Sequence, residues 1–292
     1  MGFRNSVHRE FYDSLDDFMK QMHDFRLEDL GDTVKKQERY SNVSRIITYT
    51  ATDHVFYGNY EKVYDKFKKH NVKQEASVLA ATINDFIGAD FDEQRWHYKT
   101  RLEEGDEVDV NRYLDGQDRY WNGVRKVRHE KRVVRVYVHV GGHCGRTPKQ
   151  LAIGGALAVA ITEAMEAAGI AVELWGVCYA SGCYSNGDNA LAAVLLKPSD
   201  TFADLGVISY ICGNHHVFRN SFFRAWCKIG VRDAIDVDYF LGRHAEVDKD
   251  KIGLTDEEAE QAIIVPSFYD VPSAKEWLDG QFNKMKEKGK VQ

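Results

Sequence analysis

The residues of this chain best equipped for chemistry sit in one short run, Gly141-Gly142-His143-Cys144-Gly145, with Thr147 just after it. A His–Cys pair in a glycine-rich turn suits three chemistries. Backbone amides at the start of a helix can cradle an anion. A thiol at a helix N-terminus can ionise readily. A thiol and an imidazole can share a metal, here with Cys178, Cys183, His215 and His216 as further ligands. Spacing narrows the choice. The run lacks Gly-x-x-x-x-Gly-Lys-Ser/Thr, and it does not meet Gly-x-Gly-x-x-Gly. A thiol phosphatase loop would want an arginine where Gln150 stands. There is no Cys-x-x-Cys pair, and the step from Cys178 to Cys183 is not that of a zinc knuckle. Cys144 then reads first as a small residue in a tight turn. The loop formed by Gly141, Gly142, His143, Cys144, Gly145 and Thr147 is expected to bind a ligand. No catalytic residue, metal or cofactor is expected, and a thiol- or metal-dependent enzyme centred on His143 and Cys144 is the alternative.

A second pattern mixes cations with aromatics. Tyr120, Trp121, Arg125, Lys126, Arg128, Lys131 and Arg132 lie close together, as do Tyr57, Tyr60, Tyr64, Lys66, Lys68 and Lys69. Aromatic rings beside cations are what a single-strand nucleic-acid binder uses. The competing reading is a solvated charged face over core aromatics. The net charge of −6 favours the latter and speaks against a protein that coats nucleic acid by bulk charge, while leaving room for a local basic stripe.

The elements that must position these residues can be read from pattern. At 292 residues, 43% apolar and 29% charged, the chain is globular in composition and has only 4 prolines. The count of 5 cysteines is odd, and residues 1–20 have no apolar core of signal length. A reduced, cytoplasmic setting is expected. The apolar stretch 151–161 is too short to span a bilayer. Val7, Phe11, Leu15, Phe18, Met22 and Phe25 recur at helical spacing, and helices are also predicted over 59–67 and 76–87. Residues 1–100 thus read as a mainly helical region. Residues 101–130 turn from acidic to basic and read as a junction. Residues 131–292 read as an α/β domain.

In that domain the β-branched run 133–140 predicts a strand. The glycine-rich turn comes next. A helix capped by Thr147, Pro148 and Gln150 then runs to about 168. A second strand over 171–177 makes a right-handed unit with parallel strands. A third strand is predicted over 191–196 and a last one over 263–265. Helices are expected over 204–212 and 217–228. Capping boxes are expected at Thr255 with Glu258, and at Ser273 with Glu276 before a terminal helix. Strands alternating with helices predict a doubly wound, mostly parallel sheet, which binds ligands beyond the carboxyl ends of its strands.

Strand, glycine-rich turn, alanine-rich helix and second strand together resemble a von Willebrand A-like domain. More narrowly, three segments resemble an uncharacterised bacteriophage-encoded family with such a domain. They are 107–116; 133–175; and Leu195-Leu196-Lys197 with Asp204-Leu205, His215-His216 and Phe218-Arg219. The resemblance implies an α/β fold over roughly residues 100–292. Domains of that kind hold Mg²⁺ through Asp-x-Ser-x-Ser after the first strand. The corresponding positions here are Gly141, His143 and Gly145, none of which has the oxygen ligand that a hard cation needs. The resemblance therefore implies a binding protein without that metal, an accessory protein in the host cytoplasm. It also implies a protein partner, with a MoxR-type AAA+ ATPase as the family's precedent. A binder of single-stranded DNA or RNA, assisting transcription or replication, is the alternative, and no membrane is expected to be involved.

Overall fold

A computed structural model describes residues 6–25, 64–65, 99–102, 107–108, 121–123, 133–141, 147–167, 170–184, 186–201, 203–214, 217, 221–233, 243–244 and 246–287. The chain opens with strand β1 (Val7–Tyr12) and helix α1 (Leu15–Asp24). Three short strands, β2 (Lys99–Leu102), β3 (Glu107–Val108) and β4 (Trp121–Gly123), form a small antiparallel sheet in the order β2-β4-β3. The main sheet begins with β5 (Val133–His139). Helix α2 (Pro148–Ala167) leads to β6 (Ala171–Ser181), and β7 (Asn189–Lys197) turns back beside it. Helices α3 (Leu205–Gly213) and α4 (Phe223–Arg232) follow, then β8 (Arg243–His244). The short helices α5 (Lys249–Ile252) and α6 (Asp256–Gln261) precede β9 (Ala262–Val265) and α7 (Val271–Glu287). Among the described residues no helix is long and apolar enough to cross a membrane.

The sheet order is β1-β7-β6-β5-β9, with β8 paired to the end of β6. β5 runs parallel to both β6 and β9, β1 runs parallel to β7, and β6 and β7 are antiparallel. The strand–helix–strand unit therefore forms as its pattern predicts. Val134, Val136 and Val138 of β5, Val172 and Leu174 of β6 and Val194 of β7 face a core shared with α1, α2, α3, α4 and α7. Alternation sends Tyr137, Trp175, Val177, Tyr179 and Leu191 to the opposite face, where Val247, Ile252 and Leu254 cover them. Double winding predicts long helices on both faces. Among the described residues the long helices share one face, and the other carries α5 and its flanks.

Four expectations need correction or limits. The apolar series from Val7 does not make one helix. Residues 7–12 are a strand, because they pair with the free edge of β7, and the helix begins only after Ser14 caps it by accepting from Asp17 N. The terminal helix is capped by Asp270, which accepts from Ser273 N at 2.9 Å, rather than by Ser273. The aspartate stands three residues earlier, so the helix starts a turn sooner and the orphan donor satisfied is Ser273 N rather than Glu276 N. The helix expected over 217–228 is helical at Val217 and from Ser221 onward, π-helical at 221–222, and runs past its expected end as α4 to Arg232. The helices expected over 59–67 and 76–87 lie outside the described residues except for Tyr64 and Asp65, which are helical; Tyr64 stacks on His23 of α1 at 4.2 Å. The Thr255–Glu258 capping box forms in full.

Candidate functional site: the strand-end rim and the His8 cluster

The strand order reverses between β5 and β9. The chain leaves β5 toward β6 on one side, and β9 sits on the other. Open α/β sheets place their ligand crevice outside the carboxyl ends of strands at such a point. Here β5 ends with Val140 N donating to Val177 O at 2.8 Å. Gly141 then takes φ 98°, a left-handed conformation that suits glycine because it has no Cβ. Thr147 and Gln150 close the capping box of α2. Thr147 N donates to Gln150 Oε1 at 3.0 Å, and Gln150 N donates to Thr147 Oγ1 at 3.3 Å. Gln150 also donates from Nε2 to Tyr269 O at 3.2 Å. That bond joins the start of α2 to the loop after β9. On the same loop Ser267 N donates to Glu246 Oε2 at 3.2 Å. The Tyr269 side chain is 62% exposed there. The rim is thus built from two strand ends and one capped helix start, with an aromatic standing on it.

Of the loop residues singled out from sequence, Gly141 and Thr147 are placed at this rim. Gly142, His143, Cys144 and Gly145 lie outside the described residues, as do His215 and His216. Trp121 lies in β4, while Tyr120, Arg125, Lys126, Arg128, Lys131 and Arg132 lie outside the described residues. Cys178 and Cys183 are buried, as are Cys212 and Cys227, and all four are free thiols. Burial pushes the Cys178 and Cys183 thiols well up, and those of Cys212 and Cys227 up to about 12. A thiol held that high stays protonated near neutrality and is a weak nucleophile. Among the described residues no group of three His, Cys, Asp or Glu side chains is arranged to hold a metal.

A second cluster escaped sequence reasoning, because its members are far apart in the chain. β1 brings His8 between Asp188, in the β6–β7 turn, and Asp233, at the end of α4. His8 Nδ1 lies 2.7 Å from Asp233 Oδ2, and His8 Nε2 lies 3.2 Å from both Asp188 Oδ2 and Ser6 Oγ. The Tyr184 ring meets the imidazole edge-on at 5.4 Å. Ser6, His8 and Asp233 repeat the contacts of a nucleophile, its base and the carboxylate that orients the base. Asp188 changes their meaning. A general base must offer a lone pair to the hydroxyl, whereas the second carboxylate at Nε2 favours an N–H there. The ring bridges two carboxylates, which makes it a fastener between β1, the β6–β7 turn and the end of α4.

The carboxylates carry the signature of that role. Burial works against ionisation of Asp188, but hydrogen bonds from Ser6, His8 and Asn186 outweigh it and bring its pKa down to about 2. Asp233 is lowered chiefly by the Arg232 guanidinium, with burial opposing and His8 helping. A carboxyl whose folded value lies below its unfolded one contributes stability that is complete above the ordinary aspartate range. That contribution is lost as pH falls toward about 2. Urea unfolding between about pH 5 and pH 2 is therefore expected to show stability falling less steeply in Asp188→Asn than in the wild type. Parallel slopes would remove Asp188 from the fastener.

No curated protein and no solved structure matches the chain. One family model does match, over residues 4–287, and so takes in the His8 cluster and the strand-end rim together. By that match the chain belongs to the family described as "Domain of unknown function (DUF7192)".

Proposed function

We propose that this protein is a non-enzymatic binding module that holds a protein partner on the rim at the carboxyl ends of β5 and β9. Tyr269 carries the reading. It is a large aromatic, 62% exposed, at the point where the strand order reverses. Its backbone is tied by Gln150 to the capped start of α2, so the ring is presented from a braced support. Exposed tyrosines on rigid scaffolds are favoured interface anchors, because they bury much area for little lost side-chain freedom. Two further observations support binding over catalysis at the groups in view: the four buried thiols are held protonated, and His8 is committed to two carboxylates.

The von Willebrand A-like reading is supported by the sheet. Taken as first to fourth strand, β5, β6, β7 and β9 lie in the order third-second-first-fourth, the pattern doubly wound sheets use around their crevice. The resemblance extends the proposal to a phage accessory protein acting in the host cytoplasm, with a MoxR-type AAA+ ATPase as the partner of precedent.

The test is in-cell cross-linking and capture with wild-type protein and with Tyr269→Ala. A partner recovered with wild type and reduced about tenfold in the variant, at unchanged melting temperature, is the expected result. Equal recovery from both proteins would move the interface elsewhere. Fluorescence anisotropy with a labelled single-stranded oligonucleotide at about 50 and about 200 mM salt separates the nucleic-acid alternative. No binding is expected at either concentration. Binding at the lower concentration that disappears at the higher one would transfer the function to that alternative.

A further inference from the structure

We propose that β1 is a charge-latched strap: an edge strand held to the sheet by ionic fasteners, able to lift from β7 while the rest of the fold stays closed. Edge strands are normally retained by their apolar face as well as by their ladder. In β1 only Tyr12 is buried, whereas β6 and β7 are buried along nearly their whole length. Among the described residues β1 pairs with β7 alone. Its apolar Phe11 is 44% exposed, resting edge-on against Trp175 at 5.8 Å.

Polar links take the place of that missing burial, on both faces. Toward the helices, His8 bridges Asp188 and Asp233. Two residues on, Glu10 accepts from Lys228 at 3.4 Å and from Arg232 at 3.1 Å. On the opposite face Arg9 donates from Nε to Lys251 O and from Nη2 to Asp250 O, both at 2.7 Å. These carbonyls close α5, where Gly253 turns left-handed at φ 90° and a Cβ would come within 3.0 Å of the guanidinium. At the head of the strand Ser6 N donates to Asp188 Oδ1 at 2.8 Å, and Asn189 N donates to Ser6 O at 2.9 Å.

The two ends of β1 differ. Tyr12 packs on Phe18 at 4.9 Å and is followed at once by α1, whose Phe18, Met19 and Met22 are fully buried. The Ser6–His8 end is held by charge and hydrogen bonds, with Val7, partly buried, its one apolar contribution to the core. The strap therefore hinges near Tyr12 and opens from Ser6, uncovering backbone N–H and C=O groups along the β7 edge.

Hydrogen–deuterium exchange on the full chain tests this, with wild type, His8→Gln and Asp233→Asn. Losing a charged hydrogen bond should speed exchange about tenfold in peptides from β1 and from residues 189–194. Peptides from β5 and α2 keep wild-type protection. Salt at about 1 M should produce the same local pattern in the wild type, because the fasteners are partly exposed and screened. Exchange rising together in every peptide would overturn the proposal by making β1 integral to global stability. Unchanged exchange in β1 would overturn it by making the charges irrelevant.

Discussion

Replacing Lys197 with alanine is expected to lower the unfolding free energy by about 3–5 kcal/mol, the cost of stranding one member of a buried ion pair. Lys197 ends β7 and its side chain is fully buried. Its Nζ lies 2.6 Å from Glu166 Oε1 of α2, and it donates to Val172 O at 2.9 Å and to Pro198 O at 3.1 Å. One ammonium thus ties the last turn of α2 to the start of β6 and the end of β7. Two carbonyl acceptors and the Glu166 carboxylate beside it offset the loss of water, which an isolated buried lysine would not tolerate. The variant leaves Glu166 without its cation and two carbonyls without a donor. Urea unfolding at neutral pH measures the change. A loss below about 1 kcal/mol would mean that solvent already satisfies Glu166. Adding Glu166→Gln should recover part of the loss, since the stranded charge is its largest component.

Phe18→Ala is the second large effect, again about 3–5 kcal/mol, from lost burial and the cavity left behind. Phe18 is fully buried between Tyr12 at 4.9 Å and Phe222 at 5.1 Å. Its helix is also held from α4, where Arg224 donates to Met22 O and Phe25 O, both at 3.0 Å, and from just ahead of α4, where Ser221 Oγ meets Met19 Sδ at 3.5 Å. α1 therefore packs into the core of the sheet. One cooperative unfolding transition, shifted as a whole, is the expected measurement. An α1 that melts separately and leaves the β5–β6 signal untouched would contradict it. The contrast with β1 is physical: α1 buries Leu15, Phe18, Met19 and Met22, whereas the strand before it buries Tyr12 alone and is otherwise held chiefly by polar links.

What could be read in advance was what the chain encodes within a few residues. The run 133–140 is β-branched, and it forms β5. Thr147 and Gln150 stand three apart ahead of an apolar stretch, and their side chains close the cap of α2. Thr255 and Glu258 repeat the device in α6. Each signal is complete within one turn or one strand, so no distant partner has to be known. The error at the N-terminus has an equally local cause. Val7 and Phe11 are four apart, a step that fits a helix face and also an alternating strand, so periodicity there does not choose. The free edge of β7 chose, offering hydrogen bonds to a segment some 180 positions away along the chain.

The same reason hid the fasteners. Nothing beside Lys197 in the sequence marks it for burial, and His8, Asp188 and Asp233 have no spacing to connect them. Charges far apart in sequence acquire partners only when the sheet order puts β1 on β7 and α4 behind them. The sequence by itself therefore determined the α/β alternation, the leading strand–helix–strand unit and its caps. Tertiary structure alone decided which strand took the open edge and which charges became buried pairs, because both depend on free surfaces that exist only once the sheet has formed.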